Sequence, residues 1–218
     1  MMVHAPPNAF VIVPDTSSEA SVVGGRKVDI RDNPWQVAIF DSTNNAFCGG
    51  CLLSATVVLT AQHCVEAYLE RCQVGFGHSK LSEMVQAGLR SVKYIISYPR
   101  YQPYSEGVYG KDVALLVLDK PIEFSSTAKA IRLATPIDDV AGHTKPGTRA
   151  KISGWGTLSF RSQSYPDQLH AAQVRLVSRE TALKRGMALY PDQIAAGQFP
   201  GAGRSKKTFG IELRHELN

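Results

Sequence analysis

Short runs rich in Val, Ile and aromatic residues, each closed by turn-forming residues, recur along this chain and constrain its fold more than any other feature. They fall at 35–40, 47–53, 56–60, 73–76, 92–96, 113–118, 150–152 and 172–177, and 41–45 (Asp-Ser-Thr-Asn-Asn) reads as a loop by composition. Strands at this spacing point to a sandwich or barrel, so the expected class is all-β. Helical periodicity is weak and is strongest over 178–189. Residues 121–136, with a proline at each end and Ser125-Ser126-Thr127 between them, read as a connector between two halves. No internal repeat shows at a fixed period.

With 44% hydrophobic and 20% charged residues over 218 positions, the chain has the makings of a folded core. The net charge of +5 is modest. Arg204, Lys206 and Lys207 form the densest basic group near the end, but no basic stripe interleaves with aromatics, so nucleic acid is not an expected partner. No apolar run approaches the ~20 residues of a membrane helix. The run Ala9-Phe10-Val11-Ile12-Val13 is too short for a signal-peptide core, and no Lys or Arg precedes it, so no signal peptide is visible. The four cysteines, Cys48, Cys51, Cys64 and Cys72, cluster in the first third. Clustering of this kind points to disulfides or a metal. The spacing lacks paired Cys-x-x-Cys knuckles and His63 adjoins Cys64, which favours disulfides in an exported chain, so no metal or other cofactor is expected.

Four motifs carry chemistry. The first is Phe47-Cys48-Gly49-Gly50-Cys51-Leu52-Leu53-Ser54 followed by Val58-Leu59-Thr60-Ala61-Gln62-His63-Cys64. The second is Lys111-Asp112-Val113-Ala114-Leu115-Leu116-Val117-Leu118, a carboxylate at the mouth of an apolar strand, where a buried charge needs a partner. The third is Val22-Val23-Gly24-Gly25 with Asn33-Pro34-Trp35-Gln36-Val37, and the fourth is Ser153-Gly154-Trp155-Gly156-Thr157-Leu158. Together, and in this order, they resemble the chymotrypsin/trypsin family of serine proteases. The likeness covers residues 22 to about 203 and continues through Tyr165-Pro166-Asp167-Gln168-Leu169, Val177-Ser178-Arg179-Glu180 and Asp192-Gln193-Ile194-Ala195-Ala196-Gly197.

The resemblance implies a double antiparallel β-barrel. It gives a leader or propeptide-like segment over 1–21 and a peptidase domain over 22–218. Within that domain come a first barrel over about 22–126, an incomplete second barrel over about 127–203 and a divergent tail over 204–218. It makes His63 and Asp112 the catalytic base and its anchoring carboxylate. It pairs Cys48 with Cys64, and leaves Cys51 and Cys72 either paired with each other or as two buried thiols. It further implies secretion and protein or peptide substrates or targets.

The departures are specific. Gln62 replaces the family's alanine, and Ser21 precedes Val22 where an activating cleavage would need Arg or Lys. Ala182 and Ala195 stand where the family has a bridged cysteine pair. After Gly203 the family's Gly-Asp-Ser-Gly-Gly-Pro segment is expected, but the sequence continues Arg204-Ser205-Lys206-Lys207-Thr208. Ser205 lacks the flanking glycines of that tight turn. The chain is therefore expected to hold no nucleophile and to be inactive as written, or else to serve as a non-catalytic homologue that binds proteins. The alternation of Phe209, Ile211 and Leu213 predicts one strand in the tail.

Overall fold

The computed structural model describes residues 9–11, 25–66, 72–99, 102–105, 108–156, 158, 165–184, 194–197 and 209–214. The Val22–Gly24 part of the third motif, Ser21, residues 185–189 of the predicted helical stretch, and Ser205 lie outside these.

Strands β1 (Ala9–Val11), β2 (Arg26–Lys27), β3 (Gln36–Phe40), β4 (Ala46–Leu52) and β5 (Val57–Thr60) come first. Helix α1 (Gln62–Val65) follows, then β6 (Gln73–Gly75), helix α2 (Leu81–Ala87) and β7 (Arg90–Ser97). After them come β8 (Gln102–Ser105), β9 (Val108–Gly110) and β10 (Ala114–Leu118). The second half holds helix α3 (Pro136–Val140), β11 (Arg149–Gly154), β12 (His170–Val177), helix α4 (Arg179–Lys184), β13 (Ile194–Gly197) and β14 (Phe209–Arg214).

Every expected apolar run is a strand to within a residue or two at each end. Helix α2 is the element that periodicity did not single out. Its signal is Leu81, Met84 and Val85 at helical spacing with Gly88 after the end, spread over too few turns to stand out against neighbouring strands.

Six strands close into an antiparallel barrel in the order β10-β5-β4-β3-β6-β7. Its interior is filled by Val37, Ile39, Leu52, Val58, Val74 and Leu116, each fully buried. The second half is an antiparallel sheet in the order β1-β14-β13-β12-β11, with β2 added to β12. Its apolar face is Ile152, Ala172, Val174, Leu176 and Ala196. Among the described residues this sheet is open. The tail strand predicted from alternation exists as β14, hydrogen-bonded between β13 and β1.

A third cluster, Ile30, Ala38, Phe40, Met84, Trp155 and Leu169, draws on both halves and joins them. Polar links reinforce it. Trp155 Nε1 donates to the Ser79 carbonyl at 3.1 Å, and Ser153 Oγ donates to Gln36 Oε1 at 2.7 Å. The Trp of the fourth motif thus serves to lock the halves together, and the 121–136 connector carries no strand or helix before Pro136.

Cys48 and Cys64 form a disulfide with a Cα–Cα distance of 6.0 Å. The register explains it: Cys51 faces Leu59, so continuing the β4–β5 ladder brings Cys48 alongside the start of α1. Cys51 and Cys72 do not pair, and both are free thiols. Cys51 faces Gln36 at one end of β3, while Gln73 faces Phe40 at the other. The two cysteines are thus separated by about 15 Å of strand, far beyond disulfide reach. Burial pushes the Cys51 thiol up to about 12 and raises Cys72 for the same reason. Both thiols are therefore held in the protonated, unreactive form near neutral pH. Neither thiol is expected to react with iodoacetamide in the folded chain, and both should react on unfolding; rapid native alkylation read by mass spectrometry would contradict this packing.

Candidate active site

The site forms where two barrel strands end. Strand β5 runs into a single helical turn that begins after Ala61, whose extended backbone (φ −82°, ψ 145°) turns the chain at the barrel rim. Thr60, buried there, donates from Oγ1 to the Gly49 carbonyl at 2.8 Å and ties this corner to β4. Strand β10 is the antiparallel neighbour of β5, with Ala114 facing Thr60. Continuing that register outward carries Asp112 to the turn that holds His63. Residues far apart in sequence meet because the ladder leaves them nowhere else to go.

Just before Asp112 the backbone bends sharply. Lys111 takes a left-handed conformation (φ +57°), and the Val113 N–H bonds back to the Lys111 carbonyl at 2.9 Å. A side chain with a Cβ adopts that conformation only where surrounding contacts impose it. Here the Lys111 ammonium sits 4.9 Å from the centre of the Tyr98 ring and 3.4 Å from its hydroxyl. The bend directs the Asp112 carboxylate inward, and its side chain is 1% exposed. Reading the sequence alone missed this device; Lys before Asp carries no signal for it.

Both oxygens of Asp112 are used on one residue. The His63 backbone N–H donates to Oδ1 at 2.8 Å, and the ring Nδ1 lies 2.5 Å from Oδ2. One bond fixes the position of the histidine backbone, the other fixes the ring. With Nδ1–H given to the carboxylate, the neutral ring keeps its lone pair on Nε2, the nitrogen that can take up a proton. The imidazole is 16% exposed, so the site is reachable at its rim while the anchoring carboxylate stays dry.

Two further features surround the ring. Cys64 Sγ lies 3.5 Å from Nε2. Cys48, His63 and Cys64 bring three potential metal-ligand atoms within 4.8 Å of one another, yet the two sulfurs are bonded to each other and cannot serve as thiolates. Gln62, the departure beside the histidine, is buried, and its Oε1 has no hydrogen-bond partner among the described residues.

A histidine clamped by a buried carboxylate, at the rim of one antiparallel barrel that packs against a second antiparallel sheet, defines a protein of the chymotrypsin-like all-β architecture. The comparisons narrow this to a family. Residues 22–207 match the sequence model of the Trypsin family, and the chain belongs to it. Trypsin delta of Drosophila melanogaster is 32% identical over 163 residues, covering 74% of this chain and 59% of that protein. Kallikrein-1 of Mus musculus is 31% identical over 193 residues, covering 84% and 70%. The solved structure of neuropsin, described as a serine protease expressed in the limbic system of mouse brain, superposes with a TM-score of 0.70 at 25% identity. It covers 89% of this chain and 83% of that one. The chain therefore spans about three-fifths of the length of the fly trypsin it matches.

Proposed function

We propose that His63 and Asp112 are the general base and its orienting carboxylate for serine-type peptide-bond hydrolysis, and that the polypeptide of this sequence does not itself complete that reaction. The observation that carries the first part is the two-point capture of His63 by the buried Asp112 carboxylate. In such an arrangement Nε2 takes the proton of an attacking hydroxyl and later returns it to the leaving amine. The carboxylate balances the charge on the ring in between. Protein or peptide chains are the substrate class, in keeping with the family.

The second part is supported by sequence. The Gly-Asp-Ser-Gly-Gly run that bears the nucleophile in the family, and whose backbone amides stabilise the oxyanion, occurs nowhere in the 218 residues. The 218-residue chain is expected to remain unmodified by a serine-directed phosphonate, as judged by intact mass, and to leave a fluorogenic peptide amide uncut. Appearance of a one-to-one phosphonyl adduct would refute it.

A second reading, a non-catalytic homologue that binds other proteins, is favoured by two departures. Ser21 stands where activation would need a basic residue, and the family's second bridge is replaced by alanine at both ends. Ala182 and Ala195 are fully buried where α4 packs against β13. Restoring the pair with Ala182→Cys and Ala195→Cys is expected to form a bridge under oxidising conditions and to stabilise the fold by about 3 kcal/mol. Two unbridged thiols after oxidation would mean that these positions do not face each other. Secretion fits both readings, because a bridge such as Cys48–Cys64 is kept chiefly in oxidising compartments. Among the described residues no helix is long and apolar enough to cross a membrane.

A further inference from the structure

The Cys48–Cys64 bridge staples β4 to the corner that holds His63, but its two sulfurs sit in unlike surroundings. Cys64 is 5% exposed, and its Sγ faces His63 Nε2 at 3.5 Å. Cys48 lies on β4 and is only partly buried. Behind the imidazole, Asp112 holds Nδ1 at 2.5 Å. The sulfur of the less buried residue and the sulfur that a cation on the imidazole would stabilise are therefore different atoms.

We propose that this bridge is a thiol-exchange site: a low-molecular-weight thiol attacks Cys48 Sγ, and Cys64 is the leaving thiolate, received by His63. The step balances as follows. The incoming thiol sheds its proton to His63 Nε2, directly or through water, and its sulfur lone pair forms a bond to Cys48 Sγ. The Cys48–Cys64 bond breaks, and its electron pair stays on Cys64. The products are a mixed disulfide on Cys48 and a Cys64 thiolate facing an imidazolium whose charge Asp112 balances. A second thiol attacking the mixed disulfide releases an oxidised small disulfide and leaves Cys48 as a thiol, so the protein gains two electrons and two thiols are oxidised. Exchange is faster when the departing sulfur is stabilised as a thiolate, and a neighbouring imidazolium does this. The inference does not depend on whether the chain cleaves peptides, because no hydroxyl nucleophile takes part.

The test uses reduced glutathione in excess over the full chain, with adducts followed by intact mass and located by peptide mapping. In the unmutated chain the first adduct is expected on Cys48. His63→Gln and Asp112→Asn are each expected to slow its formation by about tenfold, a modest leaving-group effect. The direction of the change separates this role from a structural one, since loosening the corner would expose the bridge and speed the reaction. Melting curves identify variants that remain folded, and the adduct position in the unmutated chain decides the matter if neither does. A first adduct on Cys64, or folded variants that react as fast as the parent or faster, would overturn the proposal.

Discussion

Asp112→Ala is expected to lower the stability of the folded chain by about 3 kcal/mol, a large effect for a single substitution. The substitution removes the two carboxylate oxygens that accept from the His63 backbone N–H and ring Nδ1. Asp112 is 1% exposed, so water cannot readily replace the lost oxygens. Asp112→Asn separates the two bonds. Its carbonyl can still accept from the His63 backbone, but its amide must donate to Nδ1, which forces the proton to Nε2. That variant should keep most of the stability and lose the basic nitrogen at the rim. Denaturant midpoints for the two variants check the ranking; equal losses would mean that the backbone bond contributes little.

Gly50→Ala is expected to destabilise the barrel by about 3 kcal/mol. A Cβ at Gly50 would meet the Leu59 carbonyl oxygen at 2.7 Å and Val58 Cγ1 at 2.9 Å. The carbonyl belongs to the β4–β5 ladder and cannot move without breaking it, and Val58 is fully buried. The neighbouring Gly49 provides the control. A Cβ there finds its nearest atom, Gln36 Nε2, at 3.4 Å, so Gly49→Ala should be close to neutral. Of the two glycines in the sequence motif, one is required by close packing of adjacent strands beneath the histidine corner. A thermal melt that ranks the two alanine variants the other way would contradict the register of β4 on β5.

The strands were legible because each is a short apolar run bounded by turn residues, and burial in a barrel imposes that pattern directly on composition. The pairing of His63 with Asp112 was legible only through resemblance to a family. Nothing in the spacing of the two residues states that β5 and β10 are neighbours, since ladder partners are chosen by the closed barrel as a whole. The same reason left Cys51 and Cys72 undecided: each looks like half of a bridge until β3 is seen to hold them at opposite ends. Helix α2 escaped because three apolar residues over two turns do not outweigh the strands around them. The left-handed Lys111 had no sequence signal, being imposed by the contacts of Tyr98 and the demand of the buried carboxylate.

Nitrogen-15 chemical shifts of the His63 ring test the dyad most directly, recorded above the pH at which the imidazole becomes neutral. The structure predicts a protonated Nδ1 and a bare, proton-accepting Nε2, with the assignment reversing in Asp112→Asn. A neutral ring carrying its proton on Nε2 in the unmutated chain would mean that Asp112 does not orient the histidine, and the reading of this corner as a general-base site would fail.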